Sequence, residues 1–256
     1  MKFIGIIPAR YQSSRFPGKP LAMLGSKPVI EWVYERVKPC FDEVYVATDD
    51  ERIAETVRLF GGNAVMTSAT CKSGTDRCYE AYCKIGGDFD VVVNVQGDEP
   101  FIKAAQIETL KSCFEDAGTD IATLVKPFTK EDSYEKLSQV NSPKVVINYK
   151  GFALYFSRSV IPFVRDEKEL AMWTSRHNFY KHIGIYAYRT QVLGQITALP
   201  QSPLELAESL EQLRWLENGY AIKVGFTDIE TVGIDTPQDL ERAGKMIGRD
   251  SMNWYG

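Results

Sequence analysis

Apolar residues recur along the first half of the chain in short, unbroken runs, at 3–7, 44–48, 64–66 and 91–95. Each run is too short for a helix and shows no polar alternation, the pattern of a strand buried on both faces. Between them, 29–38, 51–60 and 76–85 carry apolar residues at three- and four-residue spacing, which predicts amphipathic helices. Gly61-Gly62 is a helix stop before the third strand, and either Asp49 or Asp50 can cap the second helix. Strand alternating with helix predicts an α/β fold with a predominantly parallel sheet covered on both faces.

The second half reads differently. A helix is predicted over 104–115 and a strand over 121–124. From Lys144 onward, 145–148, 152–156 and 183–188 resemble antiparallel strands. They are interrupted by a polar stretch, 165–181, which reads as a mobile loop or a partner-binding arm. Ser202-Pro203 opens a helix over 204–217. A strand follows at 221–225, and Asp235-Thr236-Pro237 starts a last helix over 238–247. With no repeat, low-complexity tract or linker, residues 1–256 are expected to form one domain with an insertion around 150–190.

Composition narrows the function. Hydrophobic residues make up 44% and charged residues 25% of 256 residues, which is ordinary for a globular protein. A net charge of −4 gives no support for general nucleic-acid binding and suits a small anionic substrate held in a local cationic site. Neither a membrane-length apolar run nor a signal-peptide pattern is present, so a cytoplasmic protein is expected. The five cysteines are odd in number and lack CxxC spacing, and His177 and His182 are the only histidines. Structural thiols in a reducing compartment fit this better than a zinc or redox site.

Four stretches carry chemistry. The first, following the opening strand, is IIPARYQSSRFPGKPL, which places Arg10, Arg15 and Lys19 on a loop of small and turn-forming residues. Cations between a buried strand and a helix suit a polyphosphate, because backbone N–H groups and positive charge converge there. The loop matches neither the dinucleotide-binding nor the P-loop pattern. The second is NVQGDEP: Asp98 follows a buried strand, where α/β ligand sites gather, and is a hard oxygen donor suited to Mg²⁺. The third is GIDTPQDL, in which Asp235 is either the N-cap of the last helix or a second carboxylate for the same metal. The fourth, SGTDR, is either an ordinary helix entry or a set of donors for a base edge or phosphate.

These stretches occur in order with VATDDERI, ALYFSRSVIPF, KHIGIYAYR and SPLELAESLEQLRWLENG. Together they resemble the 3-deoxy-manno-octulosonate (Kdo) cytidylyltransferases, across about the first 248 residues; the loop and QGDEP alone are shared with cytidylyltransferases that activate sialic acids. The resemblance implies a nucleotide-diphospho-sugar transferase-like α/β/α sandwich, a homodimer, and Mg²⁺-dependent transfer of a cytidylyl group from CTP to an acidic eight-carbon sugar for lipopolysaccharide synthesis. It implies nucleotide contacts at Ala9, Arg10, Arg15, Lys19, Ser73, Gly74 and Arg77, and magnesium on Asp98 and Asp235. Arg10, Lys19, Asp98 and Asp235 become the catalytic set. The sugar would meet Gln96, Arg158, His182, Tyr186, Glu211 and Gln212. No membrane or nucleic-acid partner is implied. An 8-amino-Kdo or sialic acid acceptor, or a silent nucleotide-sugar-binding subunit, are the competing readings.

Overall fold

The apolar runs of the first half become parallel strands. In a computed structural model, which describes residues 1–230 and 232–250, β1 (Phe3–Ala9) leads to a small hairpin of β2 (Met23–Leu24) and β3 (Lys27–Pro28). Then come α1 (Val29–Val37), β4 (Glu43–Thr48), α2 (Glu51–Leu59), β5 (Asn63–Met66), α3 (Gly74–Ile85), β6 (Val91–Asn94) and α4 (Ala104–Ser112). β1 is flanked by β6 and β4, and β4 by β5, every pair parallel. Ile4, Ile6, Ile7, Val44, Val46, Val91, Val92 and Val93 are all buried, consecutive positions included, so both faces of the sheet are covered. The carboxyl ends of the four strands therefore lie along one edge, and the loops after Ala9, Thr48, Met66 and Asn94 emerge there.

By its internal packing the chain divides into two compact units, Met1–Ile107 with Thr231–Gly256, and Glu108–Glu230. The second unit holds β7 (Ile121–Pro127), α5 (Tyr134–Leu137), β8 (Lys144–Ile147), β9 (Ala153–Ser157), α6 (Trp173–Arg176), β10 (Tyr180–Arg189), α7 (Thr190–Thr197), α8 (Pro203–Glu208), α9 (Gln212–Glu217) and β11 (Ile222–Phe226). β7 pairs with β11 in parallel and with β10 in antiparallel fashion, and β8 runs antiparallel to β9. The chain then returns to the first unit with α10 (Pro237–Asp250). Ala243 and Ile234 are buried there against Leu24, Val29 and Phe101. The α/β class, with mostly parallel strands and an antiparallel portion, is as the pattern predicts.

Three local features differ from the sequence expectation. The helix predicted over 204–217 is two helices, broken at Ser209, whose φ is 50°. The break has a physical cause: Arg158 Nε donates to the Glu208 carbonyl (2.6 Å) and its Nη2 to the Ser209 carbonyl (3.2 Å). Helix-end acceptors are thus satisfied by a side chain fifty residues away in sequence. The 165–181 stretch is not a plain polar loop. It contains a 3-10 turn, Leu170–Met172, followed by α6, and buries Trp173 and Phe179 with Leu137 in a small core of the second unit. Finally, α5 and α7 carry no signal strong enough to predict them, α5 being only one turn long.

Candidate active site

A cavity of about 260 Å³ opens at the carboxyl edge of the first unit's sheet. Of the residues predicted for nucleotide, metal or sugar, Ala9, Arg10, Arg15, Lys19, Ser73, Gly74, Arg77, Gln96, Asp98 and Asp235 all line it. Three loops bring them there. The loop after β1 is closed by the Gly18 N–H, which donates to the Tyr11 carbonyl (2.8 Å). Gly18 sits at φ 73°, in the left-handed region that glycine enters without penalty. The Tyr11 ring lies 3.4 Å from the Arg52 guanidinium, which Asp50 holds through both carboxylate oxygens (2.9 and 2.7 Å). The loop after β6 passes so near β1 that a Cβ on Gly97 would lie 2.8 Å from the Pro8 carbonyl oxygen. Only glycine fits this approach, which sets Gln96 and Asp98 beside the cationic loop.

The third loop, 67–73, enters α3 through a capping box. Ser73 Oγ accepts from the Asp76 N–H (3.1 Å), while the Asp76 carboxylate accepts from the Ser73 N–H (3.2 Å). SGTDR is therefore a helix entry, and its first residues also face the cavity. Arg77, only 4% exposed, donates to Thr67 Oγ1 (2.6 Å) and to the Asp49 carboxylate (3.0 Å). Of the two cap candidates for α2, Asp50 accepts from the Arg52 N–H (3.0 Å), which leaves Asp49 to the arginine.

At the centre, the Lys19 ammonium donates to the Asp98 carboxylate and to Asp235 Oδ1 (3.1 Å), and Arg15 Nη2 lies 3.1 Å from the same Asp235 oxygen. Burial pulls the Lys19 pKa down, but Asp98 and Asp235 outweigh it and leave the pKa raised, so the side chain is a fixed cation. Asp235 reaches this position because the Ile234 N–H donates to the Asp98 carbonyl (2.8 Å). The capping alternative for Asp235 is overturned. Asp239 accepts from the Thr236 N–H (2.9 Å) and Thr236 Oγ1 accepts from the Asp239 N–H (3.2 Å), so Thr236 and Asp239 serve the start of α10.

Two carboxylates converging on one cationic nitrogen also fit a divalent metal. Among the described residues no group of three or more histidine, cysteine or carboxylate side chains forms a protein-only metal cage. A pair of hard oxygen donors suits Mg²⁺, which keeps most of its coordination for water and phosphate oxygens.

The remaining predicted residues lie in the second unit. β10 bulges between Ile183 and Tyr186 where it pairs with β7. Four residues of regular strand would span about 13 Å; with the bulge, the His182 and Tyr186 rings are 5.4 Å apart. His182 Nε2 lies 3.0 Å from Thr123 Oγ1, which donates to the Ile185 carbonyl (2.8 Å). Burial pushes the His182 pKa down to about 3, so the ring is neutral. Tyr186 packs edge-on against Trp215 of α9 at 5.1 Å, and burial raises its phenol pKa. Among the described residues, Gln212 Nε2 and Trp215 Nε1, both buried, have no hydrogen-bond partner. Glu211 pairs with Arg214 (2.8 Å). Arg158 is turned onto the end of α8, with a further hydrogen bond to the Val140 carbonyl (3.0 Å). Trp215, Tyr11 and Arg52 were not singled out by sequence; each acts through contacts remote in sequence.

The first unit's fold and cavity define a class: an α/β protein whose cationic loop, helix entry and paired carboxylates meet at the carboxyl edge of a parallel sheet. The cytidylyltransferase family model matches residues 4–228. A 3-deoxy-manno-octulosonate cytidylyltransferase of Bacteroides thetaiotaomicron is 67% identical over 248 residues, 96% of this chain and 98% of that one. Its counterpart in Phocaeicola vulgatus is 68% identical over 95% of this chain and 96% of the other. A solved structure of CMP:2-keto-3-deoxy-manno-octonic acid synthetase complexed with CTP is 41% identical, with a TM-score of 0.89 over 98% of this chain and all of that one. The chain belongs to the cytidylyltransferase family, and within it to the 3-deoxy-manno-octulosonate cytidylyltransferases.

Proposed function

We propose that the protein transfers the cytidylyl group of CTP to Kdo, forming CMP-Kdo and pyrophosphate for lipopolysaccharide synthesis, and that it does so with Mg²⁺, in the cytoplasm, as a homodimer. The observation that carries this reading is the Lys19 ammonium held between Asp98 and Asp235 in a cavity that Arg10 and Arg15 also line.

In this reading Arg10, Arg15 and Lys19 grip the triphosphate, and the same charges stabilise pyrophosphate as its bond to the α-phosphorus breaks. The fixed charge of Lys19 suits that task, because it needs no proton transfer. The entry to α3 offers the Ser73 hydroxyl and backbone N–H groups beside Gly74 to the nucleoside, with Arg77 behind them and Ala9 keeping the strand end narrow. Asp98 and Asp235 would hold the metal, which would supply charge neutralisation on the phosphates. The acceptor is an acidic sugar whose C2 hydroxyl attacks the α-phosphorus in line.

For that sugar we infer contacts from Gln96, Arg158, His182, Tyr186, Glu211 and Gln212. The Gln212 Nε2 and Trp215 Nε1 donors, both buried and without a partner among the described residues, support the reading, since such groups are costly without a ligand to satisfy them. His182 would act as a neutral hydrogen-bonding group. The Arg158 guanidinium has five N–H donors, and its three bonds to carbonyls leave capacity for a carboxylate. The homodimer is supported by apolar side chains exposed in the second unit, Tyr149, Leu154, Phe163 and Phe226. For the cytoplasm, the support is that all five cysteines are free thiols, as a reducing compartment keeps them.

The test is to incubate the protein with CTP, Mg²⁺ and, separately, Kdo, 8-amino-Kdo and a sialic acid, following phosphorus resonances. The reading expects CMP-sugar and pyrophosphate with Kdo foremost. Unconsumed CTP with every sugar would overturn it.

A further inference from the structure

One side of α3 carries Arg77, Glu80 and Lys84, spaced so that successive turns present them along a single stripe. All three reach the 66–71 segment that leads into the cavity wall. Arg77 holds Thr67, as described. Glu80 Oε1 accepts from the Ser68 N–H (2.8 Å), and Glu80 Oε2 accepts from the Cys71 thiol (3.1 Å). Lys84 Nζ donates to the Met66 carbonyl (2.9 Å) and lies 2.8 Å from Glu80 Oε1, holding that carboxylate ionised. Within the turn, Ser68 Oγ lies 2.6 Å from Thr70 Oγ1, the Thr70 N–H donates to Ser68 Oγ (3.1 Å) and the Cys71 N–H to the Ser68 carbonyl (3.4 Å), while the adjoining Lys72 N–H donates to the Asp76 carboxylate (3.1 Å). Cys71, Lys72, Ser73 and Gly74 line the cavity, whereas Glu80 does not.

We propose that Glu80 is a positioning residue for nucleotide binding: from behind the wall it fixes the 68–71 turn, and so sets where Cys71 meets the nucleoside of CTP. This rests on the cavity being the CTP site. The turn lies outside regular structure, and Glu80 ties it to the helix behind by accepting from both the Ser68 N–H and the Cys71 thiol. A carboxylate accepting two hydrogen bonds is a stronger hold than a neutral group would be. The Cys71 thiol, pushed up to about 11 by burial and by Glu80, stays protonated and keeps donating.

The experiment combines two readouts on the full-length protein. Protection of Cys71 is followed by hydrogen exchange of the peptide that carries it, with and without CTP, with the peptide carrying exposed Cys83 as the internal reference. CTP affinity, KM and kcat are then measured for Glu80→Ala and Glu80→Gln. CTP is expected to protect Cys71 and not Cys83 in the wild type. Glu80→Ala should weaken CTP binding about ten-fold, the scale of losing hydrogen bonds to a charged group, and raise KM for CTP with kcat nearly unchanged. Glu80→Gln, which keeps an acceptor for the Ser68 N–H, should recover part of the affinity, and it carries the test if the alanine variant does not fold. Wild-type affinity in both variants, with Cys71 still protected by CTP, overturns the positioning role and leaves the CTP site standing. Absence of Cys71 protection in the wild type overturns the site itself.

Discussion

Replacing Lys19 by alanine separates charge stabilisation from folding. The Lys19 side chain is 18% exposed and its partners Asp98 and Asp235 are 23% and 43% exposed. Asp235 is open enough for solvent to screen its share almost wholly, so the ion pairs together contribute only about 1 kcal/mol to stability. For a chain of this size that corresponds to a melting shift of roughly 2–4 °C. A domain with about 5–15 kcal/mol of stability remains essentially all folded after such a loss. The catalytic effect is of a different size. Removing a fixed positive group from the place where negative charge grows on the departing pyrophosphate costs about 10²- to 10³-fold in kcat. The assay is pyrophosphate release at saturating CTP and Kdo, run beside a thermal melt of the same preparation. The reasoning predicts a large loss of kcat with a small melting shift. A kcat within about three-fold of the wild type would refute it, as would a melt so lowered that unfolded protein accounts for the lost activity.

Asp98→Asn keeps the shape of the side chain and removes its charge, and should cut magnesium-dependent turnover by about 10²-fold or more, which titration of rate against Mg²⁺ checks. Gly97→Ala sets a Cβ against the Pro8 carbonyl at 2.8 Å; the displaced loop should cost about 1–3 kcal/mol in urea unfolding and reduce activity with it. The neutral burial of His182 predicts an acid sensitivity. Its folded pKa, about 3, lies below the ordinary value of 6.5, so the unfolded chain binds the extra proton. The stability it leaves intact above pH 6.5 is lost as pH falls toward 3, at about 1.4 kcal/mol per unit. Urea unfolding between pH 7.5 and 4.5 should therefore show a shallower decline in His182→Gln than in the wild type, and equal slopes would contradict the assignment.

What was legible in the sequence was whatever local pattern encodes. The strands of the first unit are apolar runs because both sheet faces are covered, and the three loops that follow β1, β5 and β6 could be read as neighbours once the strands were parallel. Long-range contacts left no such trace. Asp235 could be read as cap or ligand until Thr236 and Asp239 were seen to take the cap. The helix break at Ser209 depends on Arg158, and the β10 bulge that joins His182 to Tyr186 depends on pairing with β7. The 165–181 stretch reads as polar, yet its Trp173 and Phe179 seat it in a core with Leu137. Nothing in the sequence singles out Glu80, because its partners, Ser68 and Cys71, sit in a turn with no periodicity to reveal it.

The central claim is that Asp98 and Asp235 jointly anchor a divalent ion on the CTP tail beside Lys19. Electron paramagnetic resonance of Mn²⁺ with CTP tests it directly, comparing the wild type with the Asp98→Asn/Asp235→Asn double variant. The account predicts that the protein-bound Mn²⁺–CTP signal of the wild type is lost in the double variant while its fold, by circular dichroism, is kept. An unchanged signal in a folded double variant would contradict it.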